Sequence, residues 1–563
     1  MNTDQPAIAA RRPWVLKYPS GAPLDMGPLE FESIPAMLEA SVRRFGGRPA
    51  FESFGVRITY DDLDRLSRQF AACLQSSPGL QRGDRIAVMM PNILQYPVAV
   101  YGILRAGMVV VSVNPLYTAR ELEHQLCDSD ASAIVIFESA AHTLQGVLAR
   151  TPVRHVIVSS LGDMLGLAKG ALLNFVFRSV KKMVAPWSIA HAKRFPQVLA
   201  EGARRTFQPV RVHGEDLAFL QYTGGTTGVS KGAMLQHRHV LANLQQMRTY
   251  FGSRLREGEE VAIAPLPFYH VLALVLNCMM IVRLGGVQVL IANPRDIPRF
   301  IKTLANSRFT FFVGVNTLFN ALVNDPAFAK VDFSRLRIAG GGGAPVQLPV
   351  ARRWKEVTGQ VLSEGYGLTE TSGAVSINPP TLDEHSGTTG FPVPGTDVEI
   401  RGDDATPLAQ GQAGQVFVRG PQVMAGYWRK PEETAKVIGP DGFFATGDIG
   451  LITPEGYLKI VDRVKDMILV SGFNVYPNEL EEVAVMHPGV REAAAIGVPD
   501  ASTGEAVKLF VVRRDPALTQ EQLIAHCRAN LTGYKVPRHV EFRDVLPKSP
   551  IGKILRRELR PEA

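Results

Sequence analysis

Between about Ser33 and Phe137 the chain alternates two kinds of hydrophobic pattern. Asp61–Leu74 carries apolar residues at helical spacing, with Thr59 placed to cap the helix. Arg85–Met90 and Met108–Val113 are short β-rich runs with no polar alternation, joined by a helical stretch ending at Gly107. Arg120–Leu126 reads as a helix and Ala133–Phe137 as another buried strand. Strands that are apolar on both faces and separated by helices predict a parallel sheet covered on both sides. The alternation resumes after Ala233, with a helix over about His239–Tyr250, and continues to Gly343. From Thr389 to Thr446 it gives way to short β runs, such as Val398–Ile400 and Val416–Val418, among frequent Gly and Pro, which predicts a small β subdomain. Residues 466–563 read as a separate α+β unit with strand Val507–Val512, helix Gln520–Leu531 and a basic tail.

The fold class expected is therefore α/β. A large N-terminal domain, 1–461, holds two α/β subdomains and the small β subdomain. A short hinge, 462–465, joins it to a smaller α+β domain, 466–563. Two apolar stretches stand out. Val271–Val282 is interrupted by Asn277 and is too short to span a bilayer, so it predicts a buried helix. Leu161–Phe195 sets Met164, Leu165, Leu167, Leu172, Leu173, Phe175, Val176 and Phe177 before Arg178, Lys181, Lys182, Lys193 and Arg194. That order fits either a segment resting on an anionic membrane or a surface helix with its apolar face in the core.

At 563 residues, 46% hydrophobic and 20% charged, the chain is too long for one core and ordinary in composition. Cys73, Cys127, Cys278 and Cys527 lie far apart with no CxxC pair, which argues against a disulfide framework or a cysteine metal site. Arg11 and Arg12 are followed by Pro13, Lys17 and Pro19 where a secretory signal needs its apolar run, so a cytoplasmic placement is expected. The net charge of +8 suits anionic ligands or an anionic surface, and no nucleic-acid module is recognisable.

Within this frame, Tyr222–Ala233 (YTGGTTGVSKGA) carries the first chemistry. An apolar run, a Gly/Thr loop, a lysine and then a helix is an order of parts that cradles phosphates through backbone N–H groups, hydroxyls and an ammonium. It is not a Walker loop, because Gly232 follows Lys231 where that loop needs Ser or Thr. Gly228–Gly232 also matches the GxSxG of serine hydrolases, but Ser230 does not sit at the expected strand-to-helix elbow. Next come Ala339–Pro345 (AGGGGAP) and Glu364–Glu370 (EGYGLTE), which offer close backbone approach to a flat ligand, an aromatic for a base, a hydroxyl for a phosphate and a carboxylate for magnesium. Thr446-Gly447-Asp448 and Asp462–Asp466 offer an acid in a tight loop for ribose hydroxyls and a nearby arginine. Finally, PKSPIGK puts Lys553 after Gly552 on an expected exposed loop.

In order and spacing these clusters resemble the acyl-adenylate-forming superfamily, which includes acyl-CoA synthetases, luciferases and peptide-synthetase adenylation domains. Asp441–Lys465 (DGFFATGDIGLITPEGYLKIVDRVK) is similar to the signature of fatty acyl-CoA synthetases, and the likeness runs from about Trp14 to Arg560. The resemblance implies the adenylate-forming fold and a two-step reaction: a long-chain fatty acid and MgATP give acyl-AMP, and CoA then displaces AMP. It implies that Tyr222, Thr223, Gly224, Gly225, Thr226, Thr227, Gly228 and Lys231 wrap the ATP phosphates. Thr369 touches the α-phosphate and Glu370 holds Mg2+. Gly341, Gly342, Gly343 and Ala344, with Tyr366 and Gly367, frame adenine, while Asp448 and Arg463 bind ribose. Lys553 bridges carboxylate and α-phosphate, Lys465 is the hinge, Gly472 lines the pantetheine tunnel and His270 contacts the acyl carboxylate. Loading of a carrier protein instead of CoA stays open as an alternative. Homodimerisation, peripheral contact with the inner face of the cell membrane and a role feeding β-oxidation are further implications.

Overall fold

Thr59 does cap the first long helix: its side chain accepts from the Asp62 backbone N–H, and the Asp62 carboxylate reaches back to the Thr59 N–H, closing a reciprocal box at the head of Tyr60–Gln75. In the computed structural model, residues 12–18, 22–223, 230–471, 473–500, 502–549 and 552–560 are described.

The apolar strands read from sequence assemble into two large sheets. One has seven strands, with Arg85–Met89 between Val109–Ser112 and Ala131–Phe137, and Leu217–Thr223 and Lys231–Gln236 at one edge. Its pairings are parallel except the last, which is an antiparallel hairpin. The other has nine strands, parallel at its centre and closed by antiparallel pairs at both ends. The parallel expectation is thus corrected at the edges; Pro49–Ser53 with Val56–Thr59 and Leu362–Leu368 with Gly373–Ile377 are joined by connections too short for a parallel crossover.

The helix Gln95–Arg105 is buried along its whole length. The Gln95 amide donates to the Ser160 carbonyl at 2.8 Å beside the seven-stranded sheet. Just ahead of the helix, Asn92 donates to the Ala264 and Leu266 carbonyls, at 3.0 and 2.8 Å, beside the nine-stranded sheet. One apolar core runs between the two sheets. Val271–Val282 is helical and buried, with a π-turn at Leu274–Met279.

The β subdomain is a four-stranded antiparallel sheet, Asp397–Arg401, Gly414–Arg419, Phe444–Ile452 and Leu458–Arg463. A single 3-10 turn, Val464–Asp466, leads from it to the five-stranded C-terminal sheet, which has its own apolar clusters. The four cysteines are free.

Candidate active site

Lys231 opens a strand. The sequence reading placed it between a loop and a helix; instead Lys231–Gln236 pairs antiparallel with Leu217–Thr223, and the helix begins only at His237. The apolar alternation of Ala233 and Leu235 makes the short segment a strand with one buried face, and its length hid this. Ser230 therefore precedes a strand, which removes the hydrolase elbow. Gly224, Gly225, Thr226, Thr227 and Gly228 lie outside the described residues. Tyr222 donates its hydroxyl to Asp128 Oδ2 at 2.7 Å, and its ring flanks Gly232.

A segment absent from the sequence reading completes this side of the site. Met424–Trp428 runs antiparallel to the Lys231 strand through Met234 N–H to Gly426 O (2.9 Å), Ala425 N–H to Met234 O (3.0 Å) and Trp428 N–H to Gly232 O (2.8 Å). Its Tyr427 ring lies 5.3 Å beneath the Lys231 ammonium, and its hydroxyl donates to Glu370 Oε1 at 2.9 Å. The Met424 N–H also donates to the Glu370 carbonyl at 2.7 Å. Glu370, in the 3-10 turn Thr369–Thr371, is buried rather than a surface acid, and burial raises its pKa. The only sequence signal for Tyr427 is an aromatic pair set among charges in GYWRKPEE, which has no periodicity to expose it.

Tyr366, on the strand Leu362–Leu368, donates to Asp448 Oδ2 at 2.6 Å. Asp448 is buried within the strand Phe444–Ile452, not in a loop as expected; Gly447 just before it has φ +73°. Arg463 is its cross-strand neighbour, with Nε 3.4 Å from Oδ1. The aromatic, the acid and the arginine are thus one constellation drawn from two sheets.

The glycine run ends the strand Ile338–Gly341, and Leu272 from the helix after His270 lies 3.5 Å from where a Cβ on Gly342 would stand. Gly343 has φ +77° and is exposed, and Ala344 follows half-buried. A Cβ on Gly367 would fall 1.7 Å from the Gly373 carbonyl oxygen, so the backbones there tolerate no side chain.

Lys553 is half-buried and docked, which corrects the exposed-loop expectation. The turn is closed by Ser549 N–H to Lys553 O (2.7 Å) and Lys553 N–H to Ser549 Oγ (3.1 Å), and Thr317 Oγ1 donates to the Gly552 carbonyl at 3.2 Å. Burial, followed by the Arg463 charge, lowers the Lys553 pKa to about 8; Asp448 partly opposes this. His270, half-buried at the head of its helix, is lowered to about 4 by burial and by the Lys553 ammonium, so it is neutral at pH 7. Arg556 holds the tail in place, 3.0 Å from Asp462, 2.8 Å from Glu481 and bonded to Asn478. Lys465 is exposed in the connecting turn, where the Arg560 guanidinium donates to its carbonyl at 3.2 Å. Gly472 lies outside the described residues.

Gly552 has φ +83°, and a Cβ there would meet Thr317 Oγ1 at 2.3 Å. We expect Gly552→Ala to slow ATP-dependent pyrophosphate release by about tenfold through strain in the docked turn. An unchanged rate would show that the docked turn is not the working arrangement.

Comparison with known proteins adds the class. The family model described as AMP-binding enzyme matches residues 38–428, and that of the AMP-binding enzyme C-terminal domain matches 479–553. The chain belongs to the AMP-binding enzymes. It is 55% identical over 553 residues to the long-chain-fatty-acid–CoA ligase of Escherichia coli O157:H7, covering 98% of each chain. It is 36% identical over 559 residues to the long-chain-fatty-acid–CoA ligase of Bacillus subtilis (strain 168), covering 99% of each. Likeness of that extent sets it among the long-chain-fatty-acid–CoA ligases. The ATP-bound structure of MatB from Rhodopseudomonas palustris matches with a TM-score of 0.79 at 29% identity, covering 93% of this chain and 98% of that one.

Proposed function

We propose that this chain is a long-chain fatty acid–CoA ligase working in two half-reactions. In the first, a carboxylate oxygen of the fatty acid attacks the α-phosphorus of ATP. The bond to the β-phosphate oxygen breaks, and pyrophosphate leaves with the electron pair. In the second, the CoA thiolate attacks the acyl carbonyl carbon and AMP departs. The observation that carries the reading is the delivery of Lys553, from the C-terminal unit, to the neighbourhood of Asp448, Arg463 and neutral His270.

Asp448 and Arg463 would take the ribose, leaving Tyr366 to brace Asp448 and flank the base. Thr369 and Lys231 would meet the phosphates, and the Lys553 ammonium would bridge the carboxylate and the α-phosphate as charge builds there. Bound magnesium neutralises phosphoryl oxygens, and Glu370 would hold it. Among the described residues no group of three or more His, Cys, Asp or Glu is placed to hold a metal, and Tyr427 occupies only one Glu370 oxygen. This fits an ion that keeps most of its ligands as water and phosphate. The buried wall after His270 suits an alkyl chain, at about 0.8 kcal/mol per buried CH₂. The C-terminal unit, 466–563, would turn about Lys465 between half-reactions and bring Gly472 to the pantetheine path.

The test is pyrophosphate release that requires both ATP and oleate, followed by thioester formation on adding CoA. Preference for acetate or an aromatic acid would overturn the acyl assignment, and transfer to a carrier protein in place of CoA would overturn the second step.

We further propose peripheral contact with an anionic membrane from the cytoplasmic side. No described helix is long and apolar enough to cross a bilayer. Yet Leu167, Leu172, Phe175, Val180 and Met183 are 54–96% exposed along the helix Leu167–Phe175 and the turn after it, beside Lys181 and Lys182. A cleft of about 510 Å³ opens beside Val184, lined by Trp187 and by Arg178 and Arg194, both paired with Glu138 in its wall. Leu172→Asp with Phe175→Asp should reduce co-sedimentation with phosphatidylglycerol vesicles at least fivefold while activity on detergent-dispersed oleate persists. Unchanged sedimentation would refute the contact.

A further inference from the structure

The ammonium of Lys231 already has a partner. It is ion-paired with the Glu433 carboxylate, at the head of the helix Pro431–Val437. Lys436 Nζ holds the other carboxylate oxygen at 2.5 Å, so Glu433 lies between two ammonium groups, which hold it down to about 2, well below the usual carboxylate range. The helix is fixed in turn: the Tyr427 N–H donates to Thr434 Oγ1 at 2.9 Å, and Thr434 Oγ1 donates to the Lys430 carbonyl at 2.9 Å. Because Met424–Trp428 is bonded both to the Lys231 strand and to Glu370, the backbone that carries Glu433 is anchored beside the lysine. Glu433 follows Lys231 by 202 residues and belongs to none of the motif clusters.

Two features bear on what such a pair does. The side chains of Lys231 and Glu433 are 20% and 33% exposed, so water and ions reach them and screen the pair. A polyphosphate carries several negative charges and outbids a single carboxylate for the ammonium, but has to displace it. We propose that Glu433 is a positioning residue of the adenylation step, an internal carboxylate that yields Lys231 to the phosphates of ATP and retakes it as pyrophosphate leaves. Glu433 keeps the lysine extended toward the phosphate site, and its return competes with pyrophosphate for the same ammonium. This rests on the reading of Lys231 as a phosphate contact.

Removing the competitor should tighten pyrophosphate. With the full-length protein and MgCl₂ present, Glu433→Gln is expected to bind inorganic pyrophosphate about threefold to fivefold more tightly by calorimetry, the size of one exposed ion pair. In steady state the KM for ATP and kcat should both fall and pyrophosphate inhibition should strengthen, a split that simple loss of folded protein does not produce. Glu433→Asp, which keeps the charge, should restore pyrophosphate affinity toward that of the natural enzyme. In a Lys231→Met background the Glu433→Gln effect should vanish. Weaker or unchanged pyrophosphate binding in Glu433→Gln, or an effect that persists without Lys231, would overturn the proposal. If Lys231→Met alone leaves pyrophosphate binding unchanged, the assignment of Lys231 itself fails, and the two failures are told apart.

Discussion

Lys553→Ala is expected to abolish formation of acyl-AMP, by at least about a hundredfold, while leaving conversion of supplied acyl-AMP and CoA to acyl-CoA nearly intact. The expectation follows from placement. The tail turn sets the ammonium near Asp448, the proposed ribose acid, and the neutral His270, where on the proposed reaction charge would develop on the carboxylate and the α-phosphate. Removing one preorganised donor to a developing oxyanion typically costs about 10²–10³ in rate. On the proposed reading Lys553 serves the first half-reaction only, so the second should proceed without it. Acidity gives an independent readout. A lysine at about 8 is charged below that pH, so kcat/KM for adenylation should decline as pH rises through about 8. In Lys553→Arg, whose guanidinium keeps its proton, the same limb should disappear. Equal loss of both half-reactions in Lys553→Ala would remove the assigned role.

Asp448→Ala is expected to damage both half-reactions, because ATP and AMP present the same ribose. The aspartate is buried between Tyr366 and Arg463, so its removal would delete the proposed ribose acceptor and leave a buried hydroxyl and a guanidinium without their partner. A hydrogen bond to a charged group contributes roughly 1.5–3 kcal/mol, which sets the expected rise in KM for ATP at about tenfold to a hundredfold. Tyr366→Phe keeps the ring and the acid and should cost about tenfold or less. Binding of AMP by calorimetry checks both, and full AMP affinity in Asp448→Ala would contradict the ribose assignment.

What sequence made legible follows from how local each signal is. The Thr59 cap, the apolar strands and the helix after His270 are written in consecutive residues, and they form as read. Lys231 was visible as a cation in a glycine setting, but six residues, Lys231–Gln236, are too few for period two to compete with the strong helix pattern after them. Tyr427 and Glu433 stayed hidden for another reason. Each joins the candidate site only by meeting Glu370 or Lys231 across a long stretch of chain, and nothing in their own neighbourhood marks them. Asp448 read as a loop acid because Gly447 and Thr446 look like turn residues; pairing with Leu458–Arg463 overrides that local preference.

Gly552 carries two constraints in the docked tail: a left-handed backbone and the close approach of Thr317. If the C-terminal unit turns about Lys465 as proposed, the Thr317 contact is released, and the glycine then adds chain entropy to the freed form. On that reading the residue weighs on the duty cycle of the enzyme, the fraction of each turnover spent with its lysine in place.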